Sequence, residues 1–115
     1  MVIGVRDSHN CMQYRVLKRL LADEDGFVAG GVAMGMRNSP ILVIAFWDQL
    51  RSMRVSARRD VADDARMAIE DSGVTDADME AIDKAVAAGV PFKVDSKIIT
   101  PEVVGMAMRL RSCGD

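Results

Sequence analysis

The chain is short of several residue types that carry chemistry. Its 115 residues include one histidine, two cysteines and three prolines, and Trp, Tyr and Phe together make up 4%. One histidine and two distant cysteines cannot assemble a standard zinc site. The acidic groups Asp23-Glu24-Asp25 and Asp63-Asp64 lack the spacing of an EF-hand loop. Neither a Walker A loop nor G-x-G-x-x-G is present, and Gly30-Gly31 lies inside an apolar run, where a phosphate loop would not sit. The expectation is therefore no metal and no cofactor. An excess of charge of one sign is missing too: 15 basic residues face 17 acidic ones, for a net charge of −2. That excludes a globally basic nucleic-acid binder, although a local patch stays open.

Cys11 and Cys113 form no C-x-x-C pair. Disulfide scaffolds of this size carry more cysteines. The expectation is two unpaired thiols in a reducing cytoplasm. A bridge between them is geometrically possible, but nothing in the spacing calls for one. The opening Met1–Val5 run is shorter than the roughly 7–15 residues of a signal-peptide core. The most apolar stretch, Phe27 to Trp47, is interrupted by Arg37, Asn38, Ser39 and Pro40, which suits a turn and not a membrane span. The chain reads as soluble, cytoplasmic and unattached to a membrane.

Half of the residues are apolar and 28% are charged. That balance fits one globular domain over residues 1–115. Val2–Val5 reads as a short strand. A helix follows to about Asp23, capped by Asp7 or Ser8, with Tyr14, Leu17, Leu20 and Leu21 at helical spacing. Phe27–Met36 decides the fold class. As a helix it carries Gly30, Gly31 and Gly35, each costing about 1 kcal/mol relative to Ala. As a strand it alternates, with Val28, Val32, Met34 and Met36 on one face. With the continuous apolar run Ile41–Trp47, in which Ile41, Val43 and Ile44 are β-branched, it forms a β-hairpin around Arg37–Pro40. The alternative is two packed helices using the Gly31-x-x-x-Gly35 spacing.

Asp48–Asp71 reads as a helix, stopped by Ser72-Gly73, and Thr75 with Asp78 caps the next. Gly89 and Pro91 end that helix. Phe92–Ile99 alternates as a half-exposed strand, and Thr100-Pro101-Glu102 opens a last helix to Ser112. The order βαββααβα predicts an α+β domain, a sheet of about four strands with helices packed on it. An all-α helical bundle is the alternative.

Three clusters are candidate sites. Asp7-Ser8-His9-Asn10-Cys11 would lie where the first strand passes into a helix, a place that offers side chains and backbone N–H groups to a ligand. There Asp7, Ser8, His9 and Asn10 are ligand-binding candidates, and His9 and Cys11 are a candidate base and nucleophile. Asp, Ser and Asn are also ordinary helix-capping residues. Arg51, Arg54 and Arg58 would fall within about 60° on one helix, near Arg59 and Arg66, and could bind phosphate or an acidic partner. Acids crowd the other half of that helix, against the macrodipole preference, so either the helix breaks near Ser56 or the charges pair between molecules. Ile69–Ile82 has helix-turn-helix-like spacing, but Asp76, Asp78, Glu80 and Asp83 would meet DNA phosphates. Nucleic-acid recognition is disfavoured.

Nine methionines against five aromatics suit an irregular core or an adaptable interaction surface. The sequence as a whole points to a small non-enzymatic interaction or regulatory module, homo-oligomeric or bound to another protein. The alternatives are a small ligand-binding domain or enzyme using Asp7–Cys11, and a module binding nucleic acid or an acidic partner through Arg51, Arg54 and Arg58.

Overall fold

A computed structural model describes residues 2–93 and 96–113, with side chains described from residue 10 onward. Among them are seven helices and no strand: α1 (Val2–Leu21), α2 (Gly26–Gly35), α3 (Pro40–Ala45), α4 (Trp47–Arg54), α5 (Arg59–Ser72), α6 (Asp76–Ala88) and α7 (Pro101–Arg111). The expected α+β sheet is not there. Val2–Val5 belongs to α1, Phe27–Trp47 is three helical segments, and the described part of Phe92–Ile99 is irregular. Val94 and Asp95 of that predicted strand lie outside the described residues.

The hairpin reading fails because its small residues have a helical use. Gly26, Ala29, Gly30 and Ala33 are the buried face of α2. Their i, i+3, i+4, i+7 spacing makes one stripe with no side chain longer than a methyl group. This stripe packs on α5, whose buried face is Val61, Ala65, Ala68, Ile69 and Ser72. The two backbones come close. A Cβ added to Gly30 would lie 2.2 Å from Asp64 Oδ2, and one added to Gly26 would lie 2.1 Å from an Arg58 guanidinium nitrogen. Close contact along two helices supplies many dispersion contacts, which offset the helix cost of the glycines. Gly31 and Gly35 face open space instead. The Gly31-x-x-x-Gly35 alternative thus has the right element type and the wrong glycines.

Local start signals complete the correction. Asp25 accepts the Phe27 N–H at 2.9 Å as the cap of α2. Ser39 Oγ accepts the Leu42 N–H at 3.2 Å, and Pro40 is the first residue of α3. The Ser-Pro pair is a helix start and not a hairpin turn. The segment that follows is buried on every side: Val43, Ile44, Ala45, Phe46 and Trp47 are all in the core. A run apolar all round is read by periodicity as strand or helix alike.

The predicted helix Asp48–Asp71 is two helices, broken between Arg54 and Arg59. The break removes part of the charge conflict. Asp48 stands in the first turn of α4 with Arg51 and Arg54 in its last turn, and Asp60 stands in the first turn of α5. These charges favour their own helix dipoles, whereas Arg59 at the start of α5 and Glu70 and Asp71 in its last turn still oppose it. The predicted caps of the C-terminal half are present. Thr75 and Asp78 form a reciprocal capping box, Gly73 and Gly89 close α5 and α6 at φ +80° and +67°, and Thr100 caps α7 with Pro101 at its start. Val104 and Ala107 of α7 are buried, and α7 packs chiefly on α3.

The cysteines are not unpaired. Cys11 and Cys113 form a disulfide with Cα atoms 5.3 Å apart, across 102 positions of sequence. That separation falls in the usual range for bridged cysteines. No helix of the described residues is long and apolar enough to cross a membrane.

Candidate functional site

Three helices that are distant in sequence enclose a cleft of about 350 Å³. From α1 come Asn10, Cys11, Gln13, Tyr14 and Leu17; from α3 and its end Ile41, Leu42 and Phe46; from α7 and its end Met106, Arg109, Leu110, Ser112 and Cys113. Tyr14 and Phe46 are buried and stack at 4.7 Å between centroids, with 19° between planes. Stacked face to face, they turn little ring area to solvent. Leu17, Ile41, Leu42 and Leu110 are half-buried. Asn10, Gln13, Arg109 and Ser112 are exposed. The disulfide is part of the wall that joins α1 to α7. The volume lies in the range of roughly 300–1,000 Å³ typical of small-molecule sites, and the mix of mostly apolar lining with a few polar groups is typical as well.

Each helix presents the cleft residues for a local reason. Asn10, Tyr14 and Leu17 follow an i, i+4, i+7 stripe on α1, and Met106, Arg109 and Leu110 follow i, i+3, i+4 on α7. Among the described residues Arg109 has no carboxylate partner. Arg111, two positions on, is tied to Asp48 at 3.4 Å. Behind the disulfide, Arg15 Nη2 donates to the Cys113 carbonyl at 3.3 Å, and Arg15 Nε is buried with no hydrogen-bond partner. Lys18 sits 6.0 Å from the Tyr14 ring centroid.

The predicted site residues separate. Asp7, Ser8 and His9 lie within α1 and not in a loop between a strand and a helix, and their side chains are outside those described. Asn10 and Cys11 reach the cleft. Cys11 is oxidised, so it offers no thiolate nucleophile, and the His9–Cys11 base and nucleophile pair loses its second member.

No family model, no curated protein and no solved structure matches this chain.

Arg51, Arg54 and Arg58 are not one patch. The break after α4 places Arg58 at the start of another helix. Arg54 pairs with Asp76 at 3.0 Å and lies 5.7 Å from the Trp47 ring centroid. Arg58 donates to the Glu24 carbonyl at 2.5 Å, and Arg66 pairs with Asp63. Only Arg51 of the predicted three has no such tie. Among the described residues no group of three His, Cys, Asp or Glu side chains is placed to hold a metal ion. Of the cleft, sequence reasoning found Asn10 and Cys11 and missed α7. The signal was present in Met106, Arg109 and Leu110, whose spacing faces one way and leads directly to Cys113.

Proposed function

We propose that this chain is a non-enzymatic binding module whose ligand, a small molecule with an apolar body and an anionic end, occupies the α1–α3–α7 cleft. The observation that carries this reading is the cleft itself: an aromatic and aliphatic lining beside an arginine with no ion-pair partner among the described residues. The apolar body would leave water against Tyr14, Phe46 and Leu42, and the anionic end would meet Arg109 and the polar Asn10 and Ser112. The test uses decanoate, with decanol as its neutral counterpart, followed by two-dimensional NMR. Saturable shifts confined to residues of α1, α3 and α7 are expected. Leu42→Trp should abolish them by filling the cleft. Arg109→Gln should weaken decanoate about 2- to 5-fold, the size of an exposed ion pair, and leave decanol unchanged. Shifts scattered over the surface, or binding indifferent to Leu42→Trp, would overturn the reading.

A second reading, self-association, is favoured by the outer face of α2. Phe27 is 88% exposed beside the open Gly31 and Gly35, and α2 carries no charged residue. A second copy could therefore pack there symmetrically without like-charge repulsion. Sedimentation of wild type against Phe27→Glu tests it: a dimer lost in the variant supports it, and a wild-type monomer at tens of micromolar ends it.

A further inference from the structure

We infer that the Cys11–Cys113 bridge is a site of reversible thiol–disulfide exchange that gates the cleft. The functional half of this inference rests on the cleft being the ligand site. The structural half does not. Both cysteines are half-exposed and line the open cleft, so a small thiol can reach the bridge without unfolding the core. The bridge is also the principal tie between its two walls. α7 packs mainly on α3 and is held to Asp48 by Arg111, whereas α1 and α7 touch only sparsely. The Arg15 bond to the Cys113 carbonyl is a polar tie between them. Opening the bridge therefore frees one wall from the other and leaves each seated on the rest of the fold.

The reductant is a low-molecular-weight thiol of the glutathione class. Its thiolate attacks one sulfur of the bridge, the S–S bond breaks, and the other cysteine leaves as a thiolate that takes a proton from water. A second thiolate then attacks the reductant's sulfur in this mixed disulfide, forms the S–S bond of the oxidised reductant and expels the remaining cysteine as a thiolate, which also takes a proton from water. The products are two cysteine thiols in the protein and one molecule of oxidised reductant. Reoxidation runs the same steps backwards.

The experiment equilibrates native protein in buffers of reduced and oxidised glutathione, traps thiols by alkylation and reads the intact mass. It then compares the two forms by circular dichroism, by amide exchange and by decanoate titration. Expected are reduction in native buffer, retained helix content, and a quickening of exchange in residues 10–17 and 106–113 that exceeds the general quickening brought by the lower global stability. Decanoate should bind about tenfold more weakly to the reduced form, as for a site competent in a tenth of molecules, and recover on reoxidation. Cys113→Ser should match the reduced form. Reduction that requires denaturant, or exchange that quickens as much across α2 and α5 as in residues 10–17 and 106–113, would show a structural staple and overturn the gate. Equal decanoate affinity in the two forms would overturn it too. If decanoate binds neither form, the ligand reading fails, and the confined or general exchange pattern still decides whether the bridge moves the walls.

Discussion

Gly30 and Gly31 are neighbours in sequence, yet alanine should act oppositely at the two. At Gly31 an added Cβ meets nothing within 4 Å. The substitution removes glycine's excess chain entropy in a helix, so it should stabilise by about 0.5–1 kcal/mol. With an unfolding entropy of about 2.1 cal/mol/K per residue, that is roughly 2–4 °C in Tm for a chain of 115 residues. At Gly30 the same methyl would lie 2.2 Å from Asp64 Oδ2, 3.2 Å from its Cγ and 3.5 Å from its Cβ. Turning the carboxylate about χ2 relieves the first contact but not the second, so either Asp64 leaves its χ1 rotamer or α2 and α5 part slightly. Overpacking of this kind costs about 1–3 kcal/mol, which exceeds the helix gain. Gly30→Ala should therefore destabilise by about 0.5–2 kcal/mol. Removing the obstacle gives the decisive cycle: Gly30→Ala with Asp64→Ala leaves the new methyl in ordinary contact with the remaining Cβ, and should regain the lost stability. Urea unfolding followed by circular dichroism measures all four proteins. If Gly30→Ala stabilises as much as Gly31→Ala, the close α2–α5 contact is wrong. If both alanines destabilise, α2 is not a helix with an open outer face.

Four further outcomes follow from the same structure. Replacing Cys11 and Cys113 by serine should lower stability by about 3–5 kcal/mol, because the bridge closes a loop of about 100 residues; chemical denaturation of oxidised wild type against the double variant measures it. Leu50→Ala removes a fully buried side chain and should cost about 2–5 kcal/mol with the helix signal retained at low temperature. Thr75→Ala breaks the capping box of α6 and should cost about 1 kcal/mol, read from the urea midpoint. Gly89→Ala forces a side chain into the left-handed region at φ +67°, and should destabilise by about 1 kcal/mol although the space around it is open.

The helix ends of the C-terminal half were legible because their signals are local. Thr75 with Asp78, Gly73, Gly89 and Thr100-Pro101 each act on the backbone within four residues, whatever the rest of the chain does. The conflict of charges along residues 48–71 was legible as well, and a break was one of its two resolutions. The middle of the chain was not legible, for two reasons. The buried residues of α2, Gly26, Ala29, Gly30 and Ala33, have small side chains whose helical stripe matters only against α5, some 30 positions away. Val43–Trp47 is buried on all sides and so shows no period. The disulfide was invisible for a related reason: a pair 102 positions apart carries no spacing signal, and only the packing of α7 on α3 and the reach of α1 bring it together. The cleft inherits that difficulty, since each of its three walls is an ordinary amphipathic stripe when read alone.

The bridge also fixes how the molecule bears load. Tension applied through the segments before Cys11 and after Cys113 would run across one covalent bond and bypass all the helices between them. The core would feel no pull while the bridge is closed. Once it is reduced, the same tension reaches 102 positions of folded chain, whose full extension is on the order of 350 Å. One thiol-exchange event thus separates a short, stiff tether from a long, extensible one.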